Sequence, residues 1–180
     1  MYQDDARITP SELLVNFAEL FSARRVKDPI LDLACGDGHN GIFLALKKLP
    51  IICCDRSEEA LERARKLASA HGAAIKTWQV DLEKFGTNPL PEDFYEGIVV
   101  FRYLHRPLIE CIKKALRKGG VVIYETYTQQ QPQFGKPHNP NFLLQPEELG
   151  QWFQDWEIIH YFEGIKDNPP RAIAQIVCRK

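Results

Sequence analysis

Ile30-Leu31-Asp32-Leu33-Ala34-Cys35-Gly36-Asp37-Gly38-His39-Asn40 begins as a short apolar run and ends in a glycine-bearing turn. Ile30 to Ala34 has the length and composition of a buried strand, and the segment from about Asn40 to Lys48 reads as a helix. A strand, a glycine turn and a helix in that order suit a nucleotide, because bare backbone lets the ligand approach and the helix presents free N–H groups. Gly36, Gly38 and Gly41 also satisfy Gly-x-Gly-x-x-Gly, so their spacing alone admits a dinucleotide. Asp32 argues against one. A carboxylate at the end of the strand repels a pyrophosphate but suits a ligand that carries an ammonium group.

The alternation continues in both directions. Thr9-Pro10-Ser11-Glu12 has a capping-box pattern and opens a helix over about 10–25, with Leu13, Leu14, Phe17, Leu20 and Phe21 as its apolar stripe. Ile51 to Asp55 is a second strand, and Ser57 caps a helix that runs to Ala70. Further strands are expected at Ile75 to Val80, Gly97 to Phe101 and Val121 to Glu125, with a helix from Pro107 to Lys118 closed by Gly119-Gly120. After a polar stretch from Thr128 to Asn141 come a short helix, Pro146 to Phe153, and two late strands, Glu157 to Phe162 and Ala172 to Cys178. This order predicts an α/β, single-domain, doubly wound sheet over residues 1–180, of about seven strands, mainly parallel, with an antiparallel hairpin at one edge.

Composition narrows the function classes. With 44% hydrophobic and 26% charged residues the chain reads as globular rather than disordered. Its 23 basic and 24 acidic residues leave a net charge of −1, which gives no general attraction to nucleic acid. Lys113 to Lys118 is locally basic, yet it lies on the exposed side and last turn of an amphipathic helix, where cations complement the dipole. No segment is apolar enough to span a bilayer, and the polar Met1 to Arg7 does not resemble a signal peptide. The five cysteines lack metal-ligand spacing and read as reduced thiols, so the expectation is a cytoplasmic protein without a metal.

Ile30 to Asn40 resembles motif I of the class I, Rossmann-like S-adenosylmethionine-dependent methyltransferases, in which an acid precedes a small-Cys-Gly-x-Gly turn. Ala34 stands where a glycine is commoner. Asn40 is similar to the small-molecule branch that includes tellurite-resistance-type methyltransferases. Arg102-Tyr103-Leu104-His105-Arg106-Pro107, followed by Gly119-Gly120 and Tyr124-Glu125-Thr126, resembles a group of bacterial methyltransferases. The resemblance covers nearly the whole chain. It implies S-adenosylmethionine as cofactor, S-adenosylhomocysteine as product, and Asp32, Ala34, Cys35, Gly36, Gly38 and Asn40 around the cofactor.

Asp55 ends the second strand about twenty residues beyond the glycine loop, where an acid can bond both ribose hydroxyls; a helix cap is its bland alternative, and Ser57 already fills that position. Arg56 is a candidate to pack over the adenine, or is simply solvated. Taken alone, Asp81 is as readily a helix cap; the resemblance implies that it bonds the adenine amino group and the Leu82 N–H a ring nitrogen. Phe101 through Pro107 follow the fourth strand, so they are expected at the ligand crevice.

His105 is the candidate general base there, with capping of the next helix as the alternative. Arg102, Tyr103, Glu125 and Tyr127 are candidate acceptor contacts. The polar stretch over about 128–145 is a candidate lid carrying Phe134, His138 and Phe142, or a mobile solvated loop. The reading favoured is in-line methyl transfer to a small-molecule acceptor. A non-catalytic cofactor-binding protein, an RNA or protein methyltransferase and a nicotinamide-dependent enzyme are the alternatives. Oligomeric state and the accepting atom are not legible.

Overall fold

The computed structural model describes residues 7–22, 28–84 and 88–180. The apolar runs form β1 (Ile30–Leu33), β2 (Ile51–Asp55), β3 (Lys76–Gln79), β4 (Tyr95–Phe101), β5 (Leu116–Tyr127), β6 (Glu157–Lys166) and β7 (Arg171–Arg179). The described helices are α1 (Glu12–Phe17), α2 (Glu19–Ser22), α3 (His39–Leu46), α4 (Glu58–Ala70), α5 (Ile109–Ala115) and α6 (Glu148–Trp152). One sheet takes the strands in the order β3-β2-β1-β4-β5-β7-β6. β1 to β5 are parallel, β7 is antiparallel to β5, and β6 is antiparallel to β7. The doubly wound α/β sheet with an antiparallel edge hairpin is therefore what the chain forms.

Side-chain alternation along each strand divides the core between two faces. Leu31, Leu33, Ile98, Val100, Val122 and Tyr124 pack with Ile109 and Ile112 of α5 and Leu149 of α6. Ile30, Cys53, Val99, Val121 and Ile123 pack on the other face with Leu13 and Leu14 of α1, Phe21 of α2 and Leu44 of α3. Gly97 has no side chain because the Phe21 ring lies 2.4 Å from where its Cβ would stand. α4 buries Leu61, Ala64, Leu67 and Ala68, and the Ser57 hydroxyl accepts the Ala60 N–H at 3.2 Å as the N-cap. Strand order reverses between β1 and β4, so a crevice opens where their carboxyl ends diverge.

Three local expectations are corrected. The first helix breaks at Ala18, and its expected end at 23–25 lies outside the described residues. No capping box closes its start: Ser11 is the N-cap without a side-chain cap bond, and its N–H donates instead to Asn40 Oδ1 at 2.8 Å. The helix after β4 ends at Ala115, because Leu116 already pairs with Tyr95 as sheet. Gly119 and Gly120 serve the sheet rather than a helix cap: the Gly119 N–H donates to the Lys180 carbonyl and the Lys180 N–H to that of Gly120.

Candidate active site

The loop after β1 is shaped by positive φ at Ala34 (55°), Gly36 (54°) and Gly38 (77°). Ala34 adopts this conformation despite its Cβ, a position where glycine would be unstrained. The loop is held on every side. The Cys35 N–H donates to the Cys54 carbonyl at 2.9 Å, and the Gly41 N–H donates to Asp32 Oδ2 at 2.7 Å. Gly41 sits directly on the sheet, since a Cβ there would lie 2.5 Å from Cys53 Sγ. A Cβ on Gly36 would meet nothing within 4 Å, so open space faces the loop at that residue.

Asp55 closes the loop from the neighbouring strand. Its Oδ2 accepts the Gly36 N–H and its Oδ1 the Ser57 N–H, each at 2.9 Å. Each oxygen keeps a further lone pair for a ligand. Asp55 also lines a cavity of about 550 Å³, within the size range of small-molecule sites. Ala34, Arg56, Val80, Asp81, Leu82 and Glu83 share this lining, as do Arg102, Tyr103 and Leu104 after β4 and Thr126 and Tyr127 at the end of β5. Lys136, Pro137 and Phe142 complete it from the segment beyond β5.

The sequence candidates divide accordingly. Ala34, Asp55, Arg56, Asp81, Leu82, Arg102, Tyr103 and Tyr127 come together at the cavity. Asp32 lies beneath the glycine loop, 2% exposed, and is not part of the lining. Burial pushes its carboxyl up to about 7; the Gly41 N–H opposes this and the Asp55 charge adds to it. Its contact with the loop backbone makes it a support for the site. Cys35 is half-buried, and its thiol is held above the usual range by a hydrogen bond with Cys53 and by burial, which suppresses nucleophilic character. Asn40 spends its side-chain oxygen on Ser11. Phe101 packs into the core on the α1 face.

Two other candidates fall outside the lining. Glu125 is buried on β5 and accepts a 2.6 Å hydrogen bond from Gln175 Nε2, while Gln175 Oε1 meets His160 Nε2 at 3.2 Å. His105 is the N-cap residue of a 3-10 turn, Arg106–Leu108, with no side-chain cap bond, and it does not line the cavity. Glu125 stands two residues short of the end of β5, where it packs against Gln175, whereas Tyr127 at the strand's end reaches the cavity; after β4 the lining residues are Arg102 to Leu104.

Tyr103 brings a buried hydroxyl to the site, next to the Glu83 carboxylate; burial, followed by that carboxylate, holds its pKa above the ordinary phenol value. It therefore stays protonated at neutral pH and can donate. Its backbone is fixed by the buried Tyr124, whose hydroxyl donates to the Tyr103 carbonyl at 2.9 Å. Val80, Glu83 and Thr126 were not among the sequence candidates, whereas Leu104 belongs to the 101–107 crevice segment and Lys136 and Pro137 to the candidate lid over about 128–145. Thr126 and Glu83 were within reach, standing beside Tyr127 and Asp81 at strand ends; Lys136 and Pro137 depend on how the long polar segment folds back.

The family model described as tellurite resistance protein TehB matches residues 4–168. A probable S-adenosyl-L-methionine-dependent methyltransferase TehB of Haemophilus influenzae is 24% identical over 155 residues, covering 82% of this chain and 53% of the relative. Hemagglutinin 1 of Eikenella corrodens is 28% identical over 142 residues, covering 75% of this chain and 46% of the relative. The chain thus spans about half the length of these curated relatives. The crystal structure of TehB from Haemophilus influenzae superposes with a TM-score of 0.71 at 21% identity, covering 91% of this chain and 62% of that one.

Proposed function

The chain belongs to the TehB family, and from that premise we propose that it is an S-adenosylmethionine-dependent methyltransferase acting on a small-molecule acceptor. The observation that carries this reading is the Asp55–Gly36 hydrogen bond, which aims an acid at the open space beside the glycine loop. A dinucleotide would bring a pyrophosphate to that loop. There it would meet Asp55, with Asp81 on the next strand end. A ligand with a ribose and two cationic centres suits these acids.

The residues present fit such a ligand. Asp55 would take the ribose hydroxyls, Asp81 and the Leu82 N–H the adenine edge, and Ala34 to Gly38 the amino-acid portion. When bound, S-adenosylmethionine supplies a methyl carbon already activated by its sulfonium. The protein then has to align the acceptor and exclude water. Tyr103 can donate to the acceptor through its protonated hydroxyl, while Arg102 and Lys136 bring positive charge to the same cavity. The compact cavity favours a small molecule over a macromolecular acceptor.

Isothermal titration with S-adenosylhomocysteine and with NAD tests the cofactor. Binding of the first alone is expected, and preference for NAD would sink the assignment. Methyl-labelled cofactor with small thiols, carboxylates, amines, phenols and tellurite, the oxyanion in the family's name, then tests turnover. Transfer to none of these, together with tight binding, would favour a non-catalytic cofactor-binding protein.

A further inference from the structure

Residues 136–142 supply the wall of the cavity farthest from Asp55 in sequence, and little apolar burial holds that wall in place. The 3-10 turn Pro140–Phe142 contains no buried residue, and Phe142 is 47% exposed although its ring lines the cavity. The apolar anchors are the next residues, Leu143 and Leu144, both buried. Leu144 is also stitched to the end of β5: its N–H donates to the Tyr127 carbonyl at 2.9 Å, and the Gln129 N–H donates to its own carbonyl at 3.0 Å. At the other end the buried Gln131, whose Oε1 accepts the Ala172 N–H at 2.9 Å, donates Nε2 to the Lys136 carbonyl at 3.1 Å, so it is the 140–143 turn that lacks such anchoring.

One guanidinium spans the difference. Arg106 Nε donates to Glu148 Oε1 at 2.6 Å and Nη2 to Glu148 Oε2 at 2.8 Å, a bidentate pair on α6. The same group reaches the backbone on both sides of Phe142: Nη1 donates to the Asn141 carbonyl at 3.1 Å and Nη2 to the Leu143 carbonyl at 2.8 Å. Both partners are largely shielded, with Arg106 35% and Glu148 16% exposed. Burial raises the Glu148 pKa, but the Arg106 bonds and the Gln145 N–H outweigh it and hold the carboxyl below the usual range. Arg106 stands three residues beyond Tyr103, whose carbonyl is pinned by Tyr124. The crevice segment after β4 and the distal wall therefore share one fixed reference.

We infer that Arg106 is a positioning residue that latches the 140–143 turn, and with it Phe142, over the acceptor half of the cavity. Assigning this half to the acceptor rests on the methyltransferase reading; the latch itself does not. A planar fork is required, because a lysine ammonium cannot serve two carboxylate oxygens and two carbonyls together. Arg106 touches neither Asp55 nor the glycine loop in any described hydrogen bond, so its loss frees the turn and leaves the cofactor half intact.

Amide hydrogen exchange, read by mass spectrometry on the full chain, tests this with Arg106→Ala, Arg106→Lys and Glu148→Gln. Arg106→Ala is expected to speed exchange by about tenfold or more at 141–143, whose N–H groups are bonded to Asn139 and Pro140, with Arg106→Lys and Glu148→Gln intermediate. Millimolar methylguanidinium should restore protection to Arg106→Ala, which a general loss of packing would not allow. S-adenosylhomocysteine affinity should stay within about twofold of the parent. Unchanged exchange in a folded Arg106→Ala, exchange spread evenly over the chain, or no rescue by methylguanidinium would overturn the latch. A parent protein that fails to bind S-adenosylhomocysteine would instead sink the methyltransferase reading and leave the exchange result standing.

Discussion

Asp55 on β2 accepts the Gly36 N–H at 2.9 Å, tying the end of one strand to the glycine loop that follows its neighbour. The same carboxylate accepts the Ser57 N–H, so it is aimed before any ligand arrives. Asp55→Ala removes both anchors and the charge, and it should weaken S-adenosylhomocysteine binding by about 1–3 kcal/mol through lost charge-assisted bonds. Titration calorimetry on a variant with native circular dichroism checks this; unchanged affinity would remove Asp55 from the ribose position.

Much of this arrangement was legible in the chain. Apolar runs alternating with amphipathic segments gave the strand and helix order, and Asp55 and Asp81 were found because they end strands whose carboxyl ends border the crevice. What the pattern could not convey was how near a strand's end a side chain must stand to reach the crevice, since alternation puts Glu125 and Tyr127 on one face. Glu125 and Tyr127 share a strand, but Glu125 is packed against Gln175 of β7, a partner 50 residues away, while Tyr127 reaches the cavity. Gly119-Gly120 has the composition of a helix cap; its actual role depends on pairing with Lys180, a contact no local rule contains.

Asp32 makes folding stability depend on pH. Its carboxyl titrates near 7 in the folded chain against a reference of 3.8, so the folded state holds a proton that the unfolded state has released. The stabilisation is complete below the reference value and is lost as pH rises through about 7. The limiting size is on the order of 4 kcal/mol at about 1.4 kcal/mol per pH unit. Asp32→Asn keeps an oxygen for the Gly41 N–H and should flatten this dependence. Urea denaturation of parent and variant from pH 5 to 8 measures it, and parallel curves would refute the assignment.

His105 stands outside the cavity lining, at the head of the 3-10 turn. General-base catalysis contributes about 10²–10⁴-fold, so a base would be conspicuous by its removal. His105→Ala is expected to leave labelled methyl transfer within about threefold of the parent, below that range. A loss of a hundredfold at unchanged cofactor affinity would return His105 to the reacting centre.

The buried Glu125–Gln175 pair should matter for stability rather than for acceptor binding. Gln175→Leu leaves the Glu125 carboxyl buried without its 2.6 Å partner, at a cost of about 2–4 kcal/mol. Adding Glu125→Gln should recover part of that loss, because a neutral amide is less costly to bury than an unpaired carboxylate. A double-mutant cycle by chemical denaturation checks the coupling, and simple additivity would show that the two side chains act independently.

Gly41 is the position where the glycine pattern answers to packing rather than to ligand approach. A Cβ there would stand 2.5 Å from Cys53 Sγ, 3.0 Å from Asp32 Oδ2 and 3.2 Å from Ile51 Cγ2. All three atoms belong to buried side chains at fixed strand positions, so little can yield. Gly41→Ala gains helix propensity of about 1 kcal/mol, yet overpacking costs about 1–3 kcal/mol and α3 must also lift from the sheet. Lifting α3 draws the Gly41 N–H away from Asp32, whose 2.7 Å bond holds the loop down. The variant should therefore lose stability and S-adenosylhomocysteine affinity together, whereas Gly72→Ala, whose Cβ would meet nothing within 4 Å but whose φ is +65°, should lose only stability. Paired denaturation and calorimetry on the two variants separate the effects, and a stabilised Gly41→Ala would show that the third glycine is not the close contact that seats α3.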